Sequence, residues 1–366
     1  MLTQKRPSPQ STASRHPRHE RHAHSGPLRV AVPSKGMEEE TLAFLSGCGL
    51  PVDRSNPRQY RAEIRTLRDV EVTFQRAGDI FAKVDEGSVD LGITGYDVVA
   101  EHRREDDRVV VLLPELGYGK CSLVLGVPES WIDVTSVHDV SEISAAFRAR
   151  GRELRIATKY ENLTRQFLYD RGVNSFTLLE SSGALEAAPS LGYADLIADI
   201  TSSGVTFREN RLKTISDGTI LLSEACLIGN RDSLARSQAK LEQTRIMLDA
   251  MESFLRARPY LSLTANVRGG SPEVVARRII MHGDIAGLRG PTIARVYPKS
   301  QQDEGDWYAV TVIVARERLQ EAIDALRRAG ASDITALQLS YVFESKAWSY
   351  EALLRALEDD PGTVAT

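Results

Sequence analysis

The chain has 366 residues, of which 42% are hydrophobic and 26% charged, as in a globular protein of two or three domains. Its net charge is −4, but residues 1–27 hold five Lys or Arg and one acidic residue, so everything after them carries −8. That acidic body argues against sequence-independent nucleic-acid binding, although it leaves room for a local basic patch. No run of about 18 apolar residues is present to cross a membrane.

Residues 1–27 differ from the rest of the chain, because they hold four of the seven histidines and almost no large apolar side chains. Such a composition predicts a disordered basic tail, since burial cannot offset the entropy of ordering it. The tail is also Arg- and Ser-rich, as transit peptides are, and that alternative stays open. The three cysteines are widely spaced and there is no secretory signal, so we expect a cytoplasmic protein without disulfides or a zinc cluster.

Alternating apolar segments begin at Leu28 and predict a first α/β lobe. The predicted elements are strands 28–32, 70–76 and 89–95 and helices 38–49 and from residue 79 onward. This β-α-β-α-β order predicts a largely parallel sheet that helices cover.

A second set of alternating elements follows, with strands 121–128, 154–160, 175–181 and 194–200 and helices within 141–150, 162–171 and 183–191. A short helix and two strands over 212–230 come after it. We expect the chain to cross between lobes near residues 115 and 206, so that 28–115 with 207–257 form one lobe and 116–206 the other. Two lobes joined by two crossings leave a cleft, which is a common place for ligands.

Residues 232–257 are expected to form a helical link to a third unit. That unit has the order β-α-β-β-α-β over 258–345, which predicts a ferredoxin-like α+β domain. Its predicted elements are strands 260–267, 291–297, 307–314 and 333–343 and helices 271–281 and 316–328. The remaining residues, 346–366, are expected to be a C-terminal tail.

The stretch "DITSSGVT" (199–206) ends the last strand of the second set with small and hydroxylated residues. Small residues let backbone N–H groups approach a ligand, and a helix that begins just after them adds a favourable dipole, so the loop predicts a phosphate site. Asp199, at the end of the strand, would accept hydrogen bonds from ribose hydroxyls. Ser and Thr also cap helices, so an ordinary helix start explains the loop equally well on composition alone.

Residues 183–213, "GALEAAPSLGYADLIADITSSGVTFRENRLK", resemble the signature of the ATP phosphoribosyltransferase family, which opens histidine biosynthesis. The segments "LRVAVPSKG", "NPRQY", "VTFQRAGDIFAKVDEGSVDLGITGYDVV" and "LGYGKCSLVLGVP" match the family in order and spacing, so the resemblance covers residues 28–345. It implies an α/β fold whose two-lobed catalytic core resembles type II periplasmic-binding proteins, followed by a ferredoxin-like (ACT-like) regulatory domain that binds histidine. That terminal domain marks the long form of the family, whereas short forms need a separate regulatory subunit.

The resemblance implies a reaction between ATP and phosphoribosyl pyrophosphate (PRPP), in which adenine N1 attacks the ribose C1 and Mg²⁺-bound pyrophosphate leaves. Mg²⁺ would arrive on the pyrophosphate without protein ligands, and histidine would inhibit a homo-hexamer allosterically, with AMP as a further candidate inhibitor. The implied catalytic residues are Asp199, Glu186 and Lys35. The implied PRPP-binding residues are Asp199, Thr201, Ser202, Ser203, Gly204, Val205 and Thr206, the implied ATP-binding residues are Lys35, Gly36, Arg76, Asp97 and Lys120, and the inhibitor-site candidate is Thr292.

Several of these assignments have a plainer alternative. Glu186 and Arg76 would then be ordinary surface charges, and Asp195 would pair or cap rather than bind. Cys121 is expected to be a small buried apolar residue rather than a nucleophile. Thr292 is equally well explained as a threonine that ends a turn.

Met37 stands where many relatives carry arginine, so a phosphate contact from that side chain is lost or comes from elsewhere. Two alternatives to an enzyme remain: a two-lobed small-molecule-binding protein, which would normally carry an export signal, and a catalytically inactive regulatory relative. The hydroxyl-rich loop and its aspartate favour the enzyme.

Overall fold

The computed structural model describes residues 26–56, 58–104, 108–180, 185–281, 290–297 and 305–358. Nearly all of the predicted N-terminal tail lies outside these ranges, as do the start of the predicted helix at 183–191, residues 282–289 and the last residues of the predicted C-terminal tail. The described residues form three sheets of seven, five and four strands.

Strands and helices alternate along most of the described chain. Residues 28–113 contain β1 (Leu28–Pro33), α1 (Glu38–Gly47), β2 (Val52–Asp53), β3 (Arg61–Ile64), β4 (Val70–Gln75), α2 (Ala77–Asp85), β5 (Leu91–Gly95), α3 (Tyr96–His102) and β6 (Val109–Leu113). Residues 121–223 contain β7 (Cys121–Pro128), α4 (Val137–Ala149), β8 (Leu154–Thr158), α5 (Glu161–Asp170), β9 (Phe176–Glu180), a 3-10 turn (Leu185–Ala187), β10 (Leu196–Thr201), α6 (Val205–Glu209) and β11 (Leu212–Ser223). The rest contains β12 (Ala225–Asn230), α7 (Arg231–Ala235), α8 (Gln238–Ala257), β13 (Tyr260–Arg268), α9 (Pro272–Met281), β14 (Thr292–Val296), β15 (Trp307–Ala315), a 3-10 turn (Arg316–Arg318), α10 (Leu319–Arg328), β16 (Ala331–Gln338) and α11 (Trp348–Glu358).

The first lobe is built on the seven-stranded sheet, in the order β2-β3-β4-β1-β5-β12-β6. Its centre is parallel, since β1 pairs in parallel with both β4 and β5. These strands are apolar on both faces, as expected for a parallel sheet that helices cover on both sides. Their side chains belong to two separate buried clusters, one on each side of the sheet. The three strands predicted for this lobe are confirmed, whereas β2, β3, β6 and α3 are not among the predicted elements.

The second lobe is built on the five-stranded sheet, in the order β11-β7-β10-β8-β9. Strand β11 pairs antiparallel with β7 from Leu212 opposite Pro128 to Ser223 opposite Cys121, and it buries Leu212 and Ile215 in this lobe. The chain therefore returns to the first lobe only at β12, which pairs with β5 and β6. This return is later than the predicted crossing near residue 206.

The third unit has the order β13-α9-β14-β15-α10-β16, and its antiparallel sheet runs β14-β15-β13-β16. One face of this sheet packs on α9 and α10 through a cluster that includes Leu263, Val310, Ile279 and Leu326. This is the ferredoxin-like arrangement that the sequence predicts. No helix in the described ranges is both long and apolar enough to cross a membrane.

The predicted C-terminal tail contains a helix, α11, that packs on the first lobe. Leu353 on this helix is 2% exposed and belongs to the same buried cluster as Met247 and Met251 of α8. The chain therefore leaves the third unit and returns to the first lobe. The prediction of a C-terminal tail is wrong for the residues of this helix.

Candidate active site

The hydroxyl-rich loop connects the end of β10 to the start of α6. Gly204 has φ 69°, in the left-handed region that favours glycine, and its N–H donates to Thr201 Oγ1 at 2.9 Å. Phe207 is 3% exposed and anchors α6 in the lobe, while Ser203 and Thr206 are exposed. Thr201 therefore closes the turn before α6, and no side chain caps the helix at Gly204. The hydroxyls of Ser203 and Thr206 stay exposed and the first-turn N–H groups have no intrahelical acceptor, as an anion site requires.

Asp199 is half-buried at the end of β10, where its Oδ1 accepts the Ile200 N–H at 2.8 Å. Burial raises the pKa of this carboxyl, and the Ile200 N–H and the Lys159 ammonium oppose that rise. Glu186 and Asp97 lie near enough for their negative charges to raise the pKa further. The structure thus brings together Asp199 and Glu186, two of the three predicted catalytic residues.

Lys159 is a charged neighbour of Asp199 that the sequence patterns do not predict. It follows β8, which pairs in parallel with β10, so the two residues leave neighbouring strands at the same edge of the sheet. Such sheets hold ligands at the carboxyl ends of adjacent parallel strands. Applied to β8, this rule is the sequence signal that points to Lys159.

Asp97, predicted to bind ATP, lies in the junction between the lobes and is 4% exposed. The Tyr160 hydroxyl donates to its Oδ2 at 2.6 Å and the Ser223 hydroxyl donates to its Oδ1 at 2.7 Å. One turn later, Glu101 accepts the N–H groups of Asn162 and Leu163 at the start of α5. The two carboxylates of α3 therefore fasten the first lobe to the second.

Lys35 and Arg76, predicted to bind ATP, line one cavity of about 830 Å³ at the carboxyl ends of β1 and β4. Gly36, between Lys35 and α1, has φ 69°, a backbone conformation that glycine adopts readily. Five Lys or Arg and two acidic residues line this cavity, and within the described ranges no carboxylate forms an ion pair with Lys35, Arg58 or Arg76. A cavity with this charge excess suits a polyphosphate.

Lys120 and Ser202 line a different cavity, of about 870 Å³, beside the two chain crossings. Lys120 Nζ lies 3.6 Å from Glu224 Oε2, and Glu224 also accepts the Gly117 N–H at 2.8 Å. The residues predicted to bind ATP are therefore divided between two cavities and the buried junction at Asp97.

Three other positions singled out in the sequence have surroundings that indicate a structural role. A Cβ built on Gly119 would lie 2.5 Å from Met37 Sδ, so Met37 fills space against the first crossing. Asp195 forms ion pairs with Arg155 and Arg152. It therefore has the pairing role that the sequence pattern allows as the alternative to ligand binding. Burial and the negative charge of Asp97 raise the pKa of Cys121, which keeps the thiol protonated.

Thr292 lies at the start of β14, is exposed, and sits opposite Thr311 of β15. Residues 282–289, which precede this strand, lie outside the described ranges. The position is therefore on the edge strand of the third unit's sheet, and its role stays a prediction.

Two family models match the chain: the model described as ATP phosphoribosyltransferase over residues 76–250 and the one described as HisG, C-terminal domain over 257–341. The chain is 35% identical over 334 residues to ATP phosphoribosyltransferase 1, chloroplastic, of Arabidopsis thaliana, covering 90% of this chain and 81% of that one. It is 36% identical to the ATP phosphoribosyltransferase of Bradyrhizobium sp. (strain ORS 278), covering 87% and 95%.

Among solved structures, the ATP phosphoribosyl transferase (HisG:HisZ) complex from Thermotoga maritima matches with a TM-score of 0.47 and 24% identity, covering 62% of this chain and 96% of that one. The aligned regions cover 90% and 87% of this chain, so they include both lobes and most of the third unit. The chain therefore belongs to the ATP phosphoribosyltransferase family, in the long form that carries the C-terminal domain.

Proposed function

We propose that this chain is an ATP phosphoribosyltransferase that joins adenine N1 of ATP to the ribose C1 of PRPP, giving 1-(5-phosphoribosyl)-ATP and pyrophosphate. This reaction is the first step of histidine biosynthesis. The observation that carries the proposal is the loop at 201–206, where exposed hydroxyls and the first N–H groups of α6 follow a half-buried Asp199 at the end of β10. Family membership supports the same reaction.

The loop and Asp199 perform different parts of the reaction. Backbone N–H groups at the start of α6 and the hydroxyls of Ser203 and Thr206 bind the 5′-phosphate of PRPP. Asp199 accepts hydrogen bonds from the ribose hydroxyls and fixes the sugar for in-line attack. Its charge, together with that of Glu186, stabilises the positive charge that develops at the ribose C1 as pyrophosphate leaves.

Lys35, Arg76 and their basic neighbours hold phosphate groups of the substrates. Within the described residues no cluster of three His, Cys, Asp or Glu side chains is arranged as a metal site. We propose that Mg²⁺ arrives mainly on the pyrophosphate of PRPP and keeps several of its waters. Carried on PRPP in this way, Mg²⁺ would supply neutralisation of charge on the leaving pyrophosphate.

The direct test is to incubate the purified chain with ATP, PRPP and Mg²⁺ and to follow the formation of phosphoribosyl-ATP. We expect product to accumulate with one pyrophosphate released per turnover. Binding of either substrate without product would favour a two-lobed binding protein or an inactive regulatory relative.

The acid limb of the pH profile should report the ionisation of Asp199. The ionised carboxylate is the form that accepts hydrogen bonds, so kcat/KM for PRPP falls as the pH drops through its raised pKa. Lys159→Met removes a cation that lowers this pKa, so the limb moves to higher pH; Glu186→Gln removes an anion that raises it, so the limb moves to lower pH. If the acid limbs of both variants stayed at the wild-type position, Asp199 would not be the titrating group.

The third unit is proposed to bind histidine as an allosteric inhibitor, through a site that includes Thr292. The match to the C-terminal family domain over 257–341 supports this role. We further propose a homo-hexamer in the cytoplasm and leave AMP as a second candidate inhibitor. A hexamer offers interfaces through which a distant domain can alter the cleft between the lobes.

Histidine is expected to inhibit the wild type without competing with PRPP, because its site lies in a different unit from the phosphate loop. Thr292→Ala should raise the half-inhibitory histidine concentration roughly fivefold or more, as expected for one lost hydrogen bond. Thr335→Ala, at the opposite edge of the same sheet, is the matched control and should leave inhibition unchanged. Competition between histidine and PRPP in initial-rate measurements would contradict this assignment.

A further inference from the structure

Helix α11 is an addition to the matched family domains. The C-terminal family model ends at residue 341, and α11 begins at Trp348. The helix packs on β6 and α8 of the first lobe through Leu353 and half-buried neighbours such as Leu354 and Leu357. It is therefore a fixed part of the catalytic lobe that the family models do not describe.

A buried carboxylate holds the first turn of α11 in place. Glu252 of α8, whose side chain is 8% exposed, accepts the backbone N–H groups of Trp348 and Ser349 at 3.2 Å each and the Ser349 hydroxyl at 2.7 Å. Arg256, one turn further along α8, donates to Glu252 at 3.0 Å. Because α8 packs along the lobe over its full length, these bonds fix the position of Trp348 relative to the cleft.

Trp348 lines the cavity of about 870 Å³ that also contains Lys120 and Ser202. Although the start of α11 is anchored, 47% of Trp348 remains exposed. Tyr96 lines the same cavity, so two aromatic residues border a space that Glu115 and Glu224 also border. Aromatic walls with hydrogen-bond acceptors at the edge are the chemistry that recognises a planar heterocycle with an exocyclic amine.

The cavity also lies where an adenine has to lie for the proposed reaction. Ser202 directly follows β10, three residues after Asp199, so a base in this cavity would be next to the sugar that Asp199 is proposed to hold. Along the sheet edge, β6 is three strands from β1, about 14 Å at the usual spacing, and β1 leads to Lys35 in the basic cavity. An extended nucleoside triphosphate covers such a span.

From this juxtaposition we infer that Trp348 stacks on the adenine of ATP and so determines the affinity and placement of that substrate. The inference rests on the proposed function and assigns a binding residue of the same site. The C-terminal segment beyond the family domains thereby contributes directly to the catalytic cleft.

The test compares Trp348→Ala, Trp348→Phe and the wild type in two measurements. In calorimetric titration with Mg²⁺–ATP, without PRPP, Trp348→Ala is expected to weaken binding about tenfold, the usual effect of losing one base–aromatic stack. In steady-state assays the same variant should raise KM for ATP by about the same factor and leave KM for PRPP unchanged. Trp348→Phe keeps an aromatic face and should retain most of the affinity.

Arg355→Ala is the matched control, because Arg355 is exposed on the same helix and does not line the cavity. It should behave like the wild type in both measurements, and thermal unfolding of each variant checks that α11 stays docked. Unchanged ATP affinity and KM in Trp348→Ala would overturn the inference while leaving the proposed function intact. An absence of product from the wild type would instead contradict the proposed function, and the ATP titration would still decide whether Trp348 contacts the nucleotide.

Discussion

Asp199→Asn is expected to lower kcat by roughly 100- to 1000-fold, the range for removing one group that stabilises charge in a transition state. The substitution keeps the shape of the side chain and its contact with the Ile200 N–H. It removes the negative charge beside the developing cationic ribose and turns one acceptor into a donor. Because Asp199 is half-buried, solvent screens its charge only weakly. Water therefore cannot take over the stabilisation that this charge gives to the cationic ribose.

Asp170→Asn provides the control, since Asp170 is an exposed carboxylate on α5 of the same lobe, and Gln166 is its one hydrogen-bond donor among the described residues. We expect its kcat to equal that of the wild type. Both variants should unfold at the wild-type temperature. Full activity of Asp199→Asn would remove Asp199 from the site.

Asp90→Asn is expected to give the largest loss of stability. Asp90 is fully buried, and it accepts from the Lys240 ammonium at 2.9 Å, from the Arg29 guanidinium at 2.9 Å and from the Ser233 hydroxyl. Lys240 is itself 2% exposed, so the substitution leaves a buried ammonium without its counter-charge. Breaking a buried pair in this way costs about 3–5 kcal/mol, or on the order of 10 °C in the midpoint of thermal unfolding.

The buried pair also predicts how stability depends on pH. Burial alone would raise the pKa of Asp90, but hydrogen bonds from Arg29, Ser233 and Lys240 outweigh it and hold the pKa below its usual value of 3.8. The carboxylate therefore stabilises the fold fully above the unfolded-chain pKa, and this contribution is lost as the pH falls through the lowered folded-state pKa. Asp90→Asn should lack this part of the acid dependence.

Asp232→Asn is the surface control for the buried pair. Asp232 pairs with Arg236 at 3.1 Å on the surface, where such pairs contribute about 0–1 kcal/mol. The double variant Asp90→Leu with Lys240→Met should recover only part of the loss, because it removes the buried ammonium but leaves the Arg29 guanidinium, the Arg29 N–H and the Ser233 hydroxyl without their acceptor. An unfolding midpoint of Asp90→Asn within about 2 °C of the wild type, the effect of a surface change, would contradict the cost assigned to the pair.

The sequence predicts the strands at the centre of both lobes and all six elements of the third unit, because continuous apolar runs and regular alternation are local signals. It does not predict that β11 remains in the second lobe, since the partner of an edge strand depends on contacts far along the chain. The same holds for α11, whose apolar positions match helical spacing but whose partners, the apolar cluster of the first lobe and the carboxylate of Glu252, lie far away in the chain. Long-range pairing of this kind leaves no local pattern.

In the site, the position of Asp199 and the loop follows from the rule that ligands lie at the carboxyl ends of parallel strands. The same rule suggests an open cleft position for Asp97, but the structure buries that carboxylate under Tyr160 and Ser223 from the other lobe. A residue that fastens two lobes and one that binds a ligand have the same local sequence context. Trp348 is a related case, because its cavity is completed by segments more than 200 residues away in the chain.

The most direct test of the central claim is a crystal structure of the chain with PRPP bound. We expect the 5′-phosphate to lie over the N–H groups and hydroxyls of residues 201–206, with the ribose hydroxyls within hydrogen-bonding distance of Asp199. Density for PRPP anchored elsewhere, with this loop empty, would contradict the proposed mechanism.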